Sequence, residues 1–134
     1  MTVVVLDASA AVEALLENDS GQVVRQRLAG HEVHAPYLIE LEVTEALRRA
    51  VRAGRLSSDR GLDALDDFAD LAIVPYPLGA LHGRVWELGA NLTSYDAVYV
   101  ALAEALEAPL VTCDARLARA PGIEAAVEVF ASGD

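Results

Sequence analysis

Two short apolar runs in this 134-residue chain end on an acid in the same way, Val3-Val4-Val5-Leu6-Asp7 and Leu110-Val111-Thr112-Cys113-Asp114. Each has the composition of a buried parallel strand, so each sets a carboxylate at a strand's carboxyl end. In a parallel α/β sheet the ligand crevice opens there. Aspartate is also a favoured helix N-cap, and a helix is expected after both positions, so capping accounts for either acid taken singly. Asp96 has the same double reading. Thr93-Ser94-Tyr95-Asp96 has the form of a capping box with Asp in place of Glu, and the helix dipole favours an acid in the first turn. Capping and catalysis are compatible, because a helix N-terminus favours the ionised carboxylate. Glu42 is less ordinary. On a helical wheel it falls beside the stripe of Ile39, Val43, Ala46 and Ala50, where an unpaired acid carries a desolvation cost. A salt bridge to Arg49 or a snorkelling side chain is the plainer account of it.

If Asp7, Glu42, Asp96 and Asp114 converge, four ionised carboxylates repel one another until protons or a cation neutralise them. Oxygen ligands without His or Cys select Mg²⁺ or Mn²⁺ over zinc or copper. Ser9 and Thr112, each two residues from an acid, stand where they could orient a ligand or a metal-bound water. Such a site suits phosphodiester hydrolysis, in which the ion polarises the phosphoryl group, activates a water and stabilises the leaving oxygen. The ion also draws a phosphate into a pocket whose bare acids would repel it.

Other constellations carry less. His31-x-x-His34 lacks a third metal ligand, and His82 stands alone. Cys113 has no neighbouring base and reads as a small buried residue. No phosphate-cradling glycine-rich loop is present. The densest basic patch, Arg48, Arg49, Arg52, Arg55 and Arg60, suits a solvated helix end or an RNA contact equally. Trp86, Tyr95 and Tyr99 are expected in the core or at an interface rather than as base-stacking platforms.

The balance of 10 basic and 21 acidic residues gives a net charge of −11, and every basic residue is arginine. A surface of that sign repels polyanions, which excludes generic nucleic-acid coating and leaves cation binding or a basic partner. A hydrophobic fraction of 54% excludes a disordered chain. No charge-free run approaches the roughly 20 apolar residues of a spanning helix. The start lacks the basic region of a signal peptide, and a lone cysteine excludes a disulfide framework. A reducing, cytoplasmic setting is the expectation.

These residues need a scaffold, and the periodicity predicts one domain over 1–134. Strands are expected at 2–6, 32–35, 72–76, 110–112 and 126–130. Helices are expected from Asp7, from about Gly21 to Gly30, and over 37–53. Further helices are expected after Ser57, around Leu78 to Leu92, from Thr93 to about Glu107, and over 114–120. Gly21 is read as the separator before the second helix, and Leu62, Leu65 and Phe68 as the buried side of the fourth. Strands alternating with helices point to a mainly parallel sheet covered on both faces.

In the order and spacing of its motifs the chain resembles the PIN-domain ribonucleases of the VapC toxin type. The resemblance rests on Val4-Val5-Leu6-Asp7-Ala8-Ser9, on Ala35-Pro36-Tyr37-Leu38 leading to Glu42-Val43, and on Ala46-Leu47-Arg48-Arg49. It continues through Leu92-Thr93-Ser94-Tyr95-Asp96-Ala97 with Ala101-Leu102-Ala103, and ends with Leu110-Val111-Thr112-Cys113-Asp114 and Leu117-Ala118. It implies a three-layer α/β/α PIN-like fold with a central sheet of four to five strands. The family's four acids fall on Asp7, Glu42, Asp96 and Asp114. The implied activity is Mg²⁺- or Mn²⁺-dependent endonucleolytic cleavage of RNA. Asp7, Asp96 and Asp114 would be metal ligands, and Glu42 would orient the attacking water. The implied partners are an RNA substrate, a VapB-type antitoxin and a second copy of the chain. Glu45 departs from the Asn common at that position, and the fifth acid of some relatives is absent from 115–121. Two rivals are a catalytically idle PIN-like binding module and an acidic-pocket phosphatase. The absence of lysine, and Ser9 where a second Asp would be needed, count against the phosphatase.

Overall fold

The computed structural model describes residues 2–133. At its centre is β1 (Val3–Leu6), whose Val4, Val5 and Leu6 are all but inaccessible to solvent. β1 is paired in parallel with β2 (Glu32–Pro36) on one side and β4 (Leu110–Thr112) on the other. Outside these run β3 (Val74–Tyr76) and β5 (Val127–Val129), which complete a five-stranded, wholly parallel sheet in the order β3-β2-β1-β4-β5. Parallel strands need crossovers, and helices supply them, giving the expected three layers. These helices are α1 (Ala8–Ala14), α2 (Asp19–Leu28), α3 (Leu38–Arg52), α4 (Ser58–Ala69), α5 (His82–Glu87), α6 (Ser94–Leu106) and α7 (Ala115–Arg119). α6 packs on β1, β2 and β4, and its run Ala97–Ala103 is buried throughout. Among the described residues no helix is long and apolar enough to cross a membrane.

Four details depart from expectation. Gly21 lies inside the first turn of α2 rather than before it. A side chain there would meet the carbonyl oxygens of Glu13 and Leu16 at 2.4 Å, so the residue marks a close approach of α2 to the end of α1. The stretch from Leu78 to Leu92 is not one helix: 3₁₀ turns at Gly79–Leu81 and Leu88–Ala90 flank the short α5. Glycines at 79, 83 and 89 lower helix propensity there, which shortens it. The buried stripe of α3 is Ile39, Val43 and Leu47, with Ala46 and Ala50 only partly covered. Leu62 is 60% exposed, while Leu65 and Phe68 are partly buried against the core beside the buried Gly61 and Ala64.

Candidate active site

The crevice forms where β1 and β4 end side by side. Asp7 leaves β1 in an extended conformation and caps α1, its Oδ1 accepting from the Ala10 N–H at 3.0 Å. The same oxygen accepts from the Ser9 hydroxyl at 2.8 Å, and Oδ2 accepts from the Thr112 hydroxyl at 2.5 Å. Ser9 and Thr112 therefore hold Asp7 itself rather than pointing at a ligand. Their oxygens in turn accept the backbone N–H groups of Cys113 and Asp114, tying the two strand ends together. Asp7 is only 6% exposed. Burial raises its pKa, three hydrogen bonds oppose that rise, and the charge of Asp114 adds to it.

Asp114 caps α7 and is gripped by Arg116. Oδ1 accepts from the backbone N–H and from Nε of Arg116, both at 3.0 Å, and Oδ2 accepts from Nη2 at 2.6 Å. This fork holds the Asp114 carboxyl below its ordinary pKa. Nη2 of Arg116 also lies 4.0 Å from Oδ2 of Asp96, so one guanidinium spans two acids. Asp96 stands in the first turn of α6, and its backbone N–H donates to the Thr93 hydroxyl at 3.2 Å.

Glu42 faces this group from α3. Its partner is not Arg49: Oε1 accepts a 2.5 Å hydrogen bond from the hydroxyl of Tyr99 on α6. Burial raises the Glu42 pKa, the Tyr99 bond opposes the rise, and the charges of Asp96 and Asp7 add to it. Burial and the same carboxylates push the Tyr99 phenol well above its ordinary value, so it stays a donor. The mutual repulsions join Asp7, Glu42, Asp96 and Asp114 in one electrostatic neighbourhood. As the side chains stand, no three Asp, Glu, His or Cys groups among the described residues converge closely enough to hold an ion.

The lesser candidates have structural partners. His34 is buried and bonded to Tyr76 at 2.7 Å and Glu32 at 3.1 Å, and His31 pairs with Thr2. Burial pushes the Cys113 thiol up to about 12, with the charges of Glu13 and Asp7 adding to it, so it is no nucleophile at neutral pH. In the basic patch Arg48 and Arg52 pair with Glu45, and Arg60 pairs with Glu17 and Asp67. Trp86 and Tyr95 are 86% and 64% exposed, which removes both from the core. Sequence reasoning missed two residues. Tyr99 sits three positions after Asp96, a spacing that shares one helix face. Arg116 follows Asp114 by two residues, within reach of the acid it would neutralise.

The PIN-domain family model matches residues 4–123. The chain is 49% identical over 114 residues to a VapC ribonuclease of Mycobacterium bovis, a match covering 85% of this chain and 87% of that one. It is 43% identical over 128 residues to ribonuclease VapC12 of Mycobacterium tuberculosis, covering 96% and 99% of the two chains. Among solved structures it resembles a Pyrobaculum aerophilum protein at a TM-score of 0.69 and 25% identity, over 96% of this chain and 84% of that one. In fold it also resembles a chain of the VapBC2 assembly of Rickettsia felis bound to a promoter DNA fragment. There the TM-score is 0.71 at 17% identity, over 96% of this chain and 99% of that one. Over most of its length, therefore, the chain belongs to the PIN-domain family and, within it, to the VapC ribonucleases.

Proposed function

We propose that the protein is a divalent-ion-dependent endoribonuclease, the toxin of a VapB–VapC pair, and that Asp7, Glu42, Asp96 and Asp114 are its catalytic residues. The single observation that carries this is the span of Arg116 across Asp114 and Asp96, beside a buried Asp7. Asp114 and Asp96 already share one guanidinium in their charge balance, and a metal ion would answer the same need. The donor set is all oxygen, which fits a hard ion such as Mg²⁺ or Mn²⁺. Asp7, Asp96 and Asp114 would hold it. A bound ion would supply Lewis acidity toward the phosphoryl group and a water of lowered pKa.

The chain's own groups do the rest. Ser9, Thr112 and the Ala10 N–H fix the rotamer of Asp7. Tyr99 occupies Oε1 of Glu42, which leaves Oε2 to orient the attacking water and receive its proton. In-line attack on phosphorus with departure of the 3′ oxygen leaves 5′-phosphate and 3′-hydroxyl ends.

A VapB-type antitoxin is the proposed protein partner, supported by the likeness to the VapC ribonucleases. Self-association into a homodimer is supported by an apolar surface on which Tyr37, Leu78, Trp86 and Tyr95 line one cavity of about 340 Å³.

The deciding experiment incubates the protein with total RNA and Mn²⁺ and sequences the new 5′ ends. Cleavage that is stimulated by Mn²⁺ and lost in folded Asp7→Asn and Asp96→Asn variants supports the reading. Undiminished cleavage by the double variant overturns it, and phosphate release from small phosphomonoesters instead would favour a phosphatase.

A further inference from the structure

We propose that Arg116 couples ion binding to RNA binding: without an ion its guanidinium holds Asp114 and Asp96, and once an ion takes those carboxylates it is released to a phosphate oxygen of the RNA strand. The proposal rests on the functional reading above and assigns a positioning role to a residue outside the four acids.

The geometry makes the two cations rivals. Nε and Nη2 of Arg116 occupy both oxygens of Asp114, at 3.0 and 2.6 Å, and Nη2 reaches toward Asp96 at 4.0 Å. Three of the roughly four lone-pair sites of Asp114 are taken, so an ion on this carboxylate would lie close against the guanidinium, where two positive charges repel. Competition of this kind is reciprocal, so whatever draws Arg116 away favours the ion, and the ion favours whatever draws Arg116 away. Release has a moderate cost: the contact is bidentate and the Asp114 side chain only 23% exposed, but the Arg116 side chain is 75% exposed, which weakens the pair.

The freed guanidinium has somewhere to go. Arg116 lines a cavity of about 340 Å³ with Asp96, Thr93, Asn91 and Arg119, so two arginines border the acids in a chain of net charge −11. A guanidinium fork fits phosphate oxygens as it fits a carboxylate. Other arginines of the fold pair with acids away from the crevice, as in Arg27 with Glu128 and Arg84 with Glu104. The partners of Arg116 are the acids an ion would claim.

The test compares the full chain with Arg116→Ala, Arg116→Lys and Arg119→Ala. Mn²⁺ binding without RNA is read from the electron paramagnetic resonance of the free ion. Arg116→Ala should bind Mn²⁺ about two- to fivefold more tightly, and Arg119→Ala, which removes a charge near Asp114 but no hydrogen bond to it, should gain clearly less. Binding of a labelled single-stranded RNA is then read by fluorescence anisotropy in Ca²⁺ and in EDTA, the strand being checked for integrity. Ca²⁺ should tighten RNA binding by the wild type, and Arg116→Ala should lose most of that gain and about 0.7 of the salt slope. Arg116→Lys, which keeps the charge and loses the fork, should restore RNA binding only in part. Unchanged Mn²⁺ affinity in Arg116→Ala, or an equal rise in Arg119→Ala, overturns the proposal, the latter showing bulk charge alone. If the wild type binds Mn²⁺ and cleaves RNA while Arg116→Ala matches it in both assays, only this proposal falls. If the wild type binds no Mn²⁺ at millimolar concentration, the functional reading falls and takes this one with it.

Discussion

The hydroxyl of Tyr99 on α6 donates to Oε1 of Glu42 on α3 at 2.5 Å, joining two helices 57 residues apart across the crevice. Tyr99 is 2% exposed, so its side chain is shielded from bulk solvent. Tyr99→Phe keeps the ring and removes the donor. It should lower stability by about 1.5–3 kcal/mol, the usual worth of a hydrogen bond to a charged group. RNA cleavage should slow roughly tenfold through kcat with KM unchanged, because Glu42 loses the bond that orients it and that opposes the rise in its pKa. Denaturant melts and initial rates check both, and a variant with wild-type rates would remove Tyr99 from the catalytic account.

At Asp7 burial works against the ionised carboxylate. Its folded pKa lies above the unfolded value, so the folded state binds the extra proton. Stability present below the unfolded pKa is therefore lost as pH rises through the folded one. Asp7→Asn avoids that loss and keeps the Ser9 and Ala10 bonds, with its amide facing the Thr112 oxygen. At pH 7 it should melt higher than the wild type, by roughly 2–5 °C, and the difference should shrink near pH 4. Millimolar Mn²⁺ should raise the wild-type melting temperature and leave the variant's unchanged. Scanning calorimetry with and without Mn²⁺ decides it. A variant less stable than the wild type at pH 7 would mean that the hydrogen bonds outweigh burial.

Away from the crevice, Arg84 grips Glu104 at 2.6 and 3.1 Å, and the Glu124 N–H donates to Glu104 at 2.6 Å. Burial pushes the Glu104 carboxyl up, but these donors outweigh it and hold its pKa below the ordinary value. The sign is opposite to that of Asp7: the stability is present above the unfolded pKa and lost as pH falls through the folded one. Glu104→Gln should cost about 2 kcal/mol at pH 7. Its unfolding curve should approach the wild type's as pH drops toward about 3. A deficit that stays constant between those pH values would assign the effect to packing.

Gly21 should tolerate no side chain. In Gly21→Ala the new Cβ would meet two carbonyl oxygens at 2.4 Å, which α1 and α2 must separate to relieve. The expected loss is about 3 kcal/mol, the upper end for overpacking, or a fall of roughly 10 °C in melting temperature. Gly83→Ala, where the added carbon meets nothing within 4 Å, is the control and should be neutral or slightly stabilising.

Much of this molecule was legible in its residue order. Period and composition are local properties, and they reported the five strands, their parallel arrangement and the acids at the ends of β1 and β4. They also marked Glu42 as an acid beside a buried stripe. Two of the departures turn on what lies opposite a residue in space, which a local signal does not report. Gly21 looked like a break because glycine disfavours helices, yet a helix runs through it because the neighbouring helix end leaves room for nothing larger. Leu62 has the spacing of a buried position, yet it lies at the edge of a cavity between α3 and α4 and is 60% exposed.

The partners of the site were decided only by the tertiary structure. Whether Glu42 would meet Arg49 or Tyr99, whether Ser9 and Thr112 would face a ligand or Asp7, and which cation would span Asp96 and Asp114 all depend on how separate helices and strand ends come together. Helical and strand periods carry no information about that. The residue order by itself named the acids, because strand ends and helix starts are written in neighbouring residues. Packing alone chose what each acid touches, because a hydrogen bond between residues 57 or 105 positions apart exists only once the sheet has aligned them.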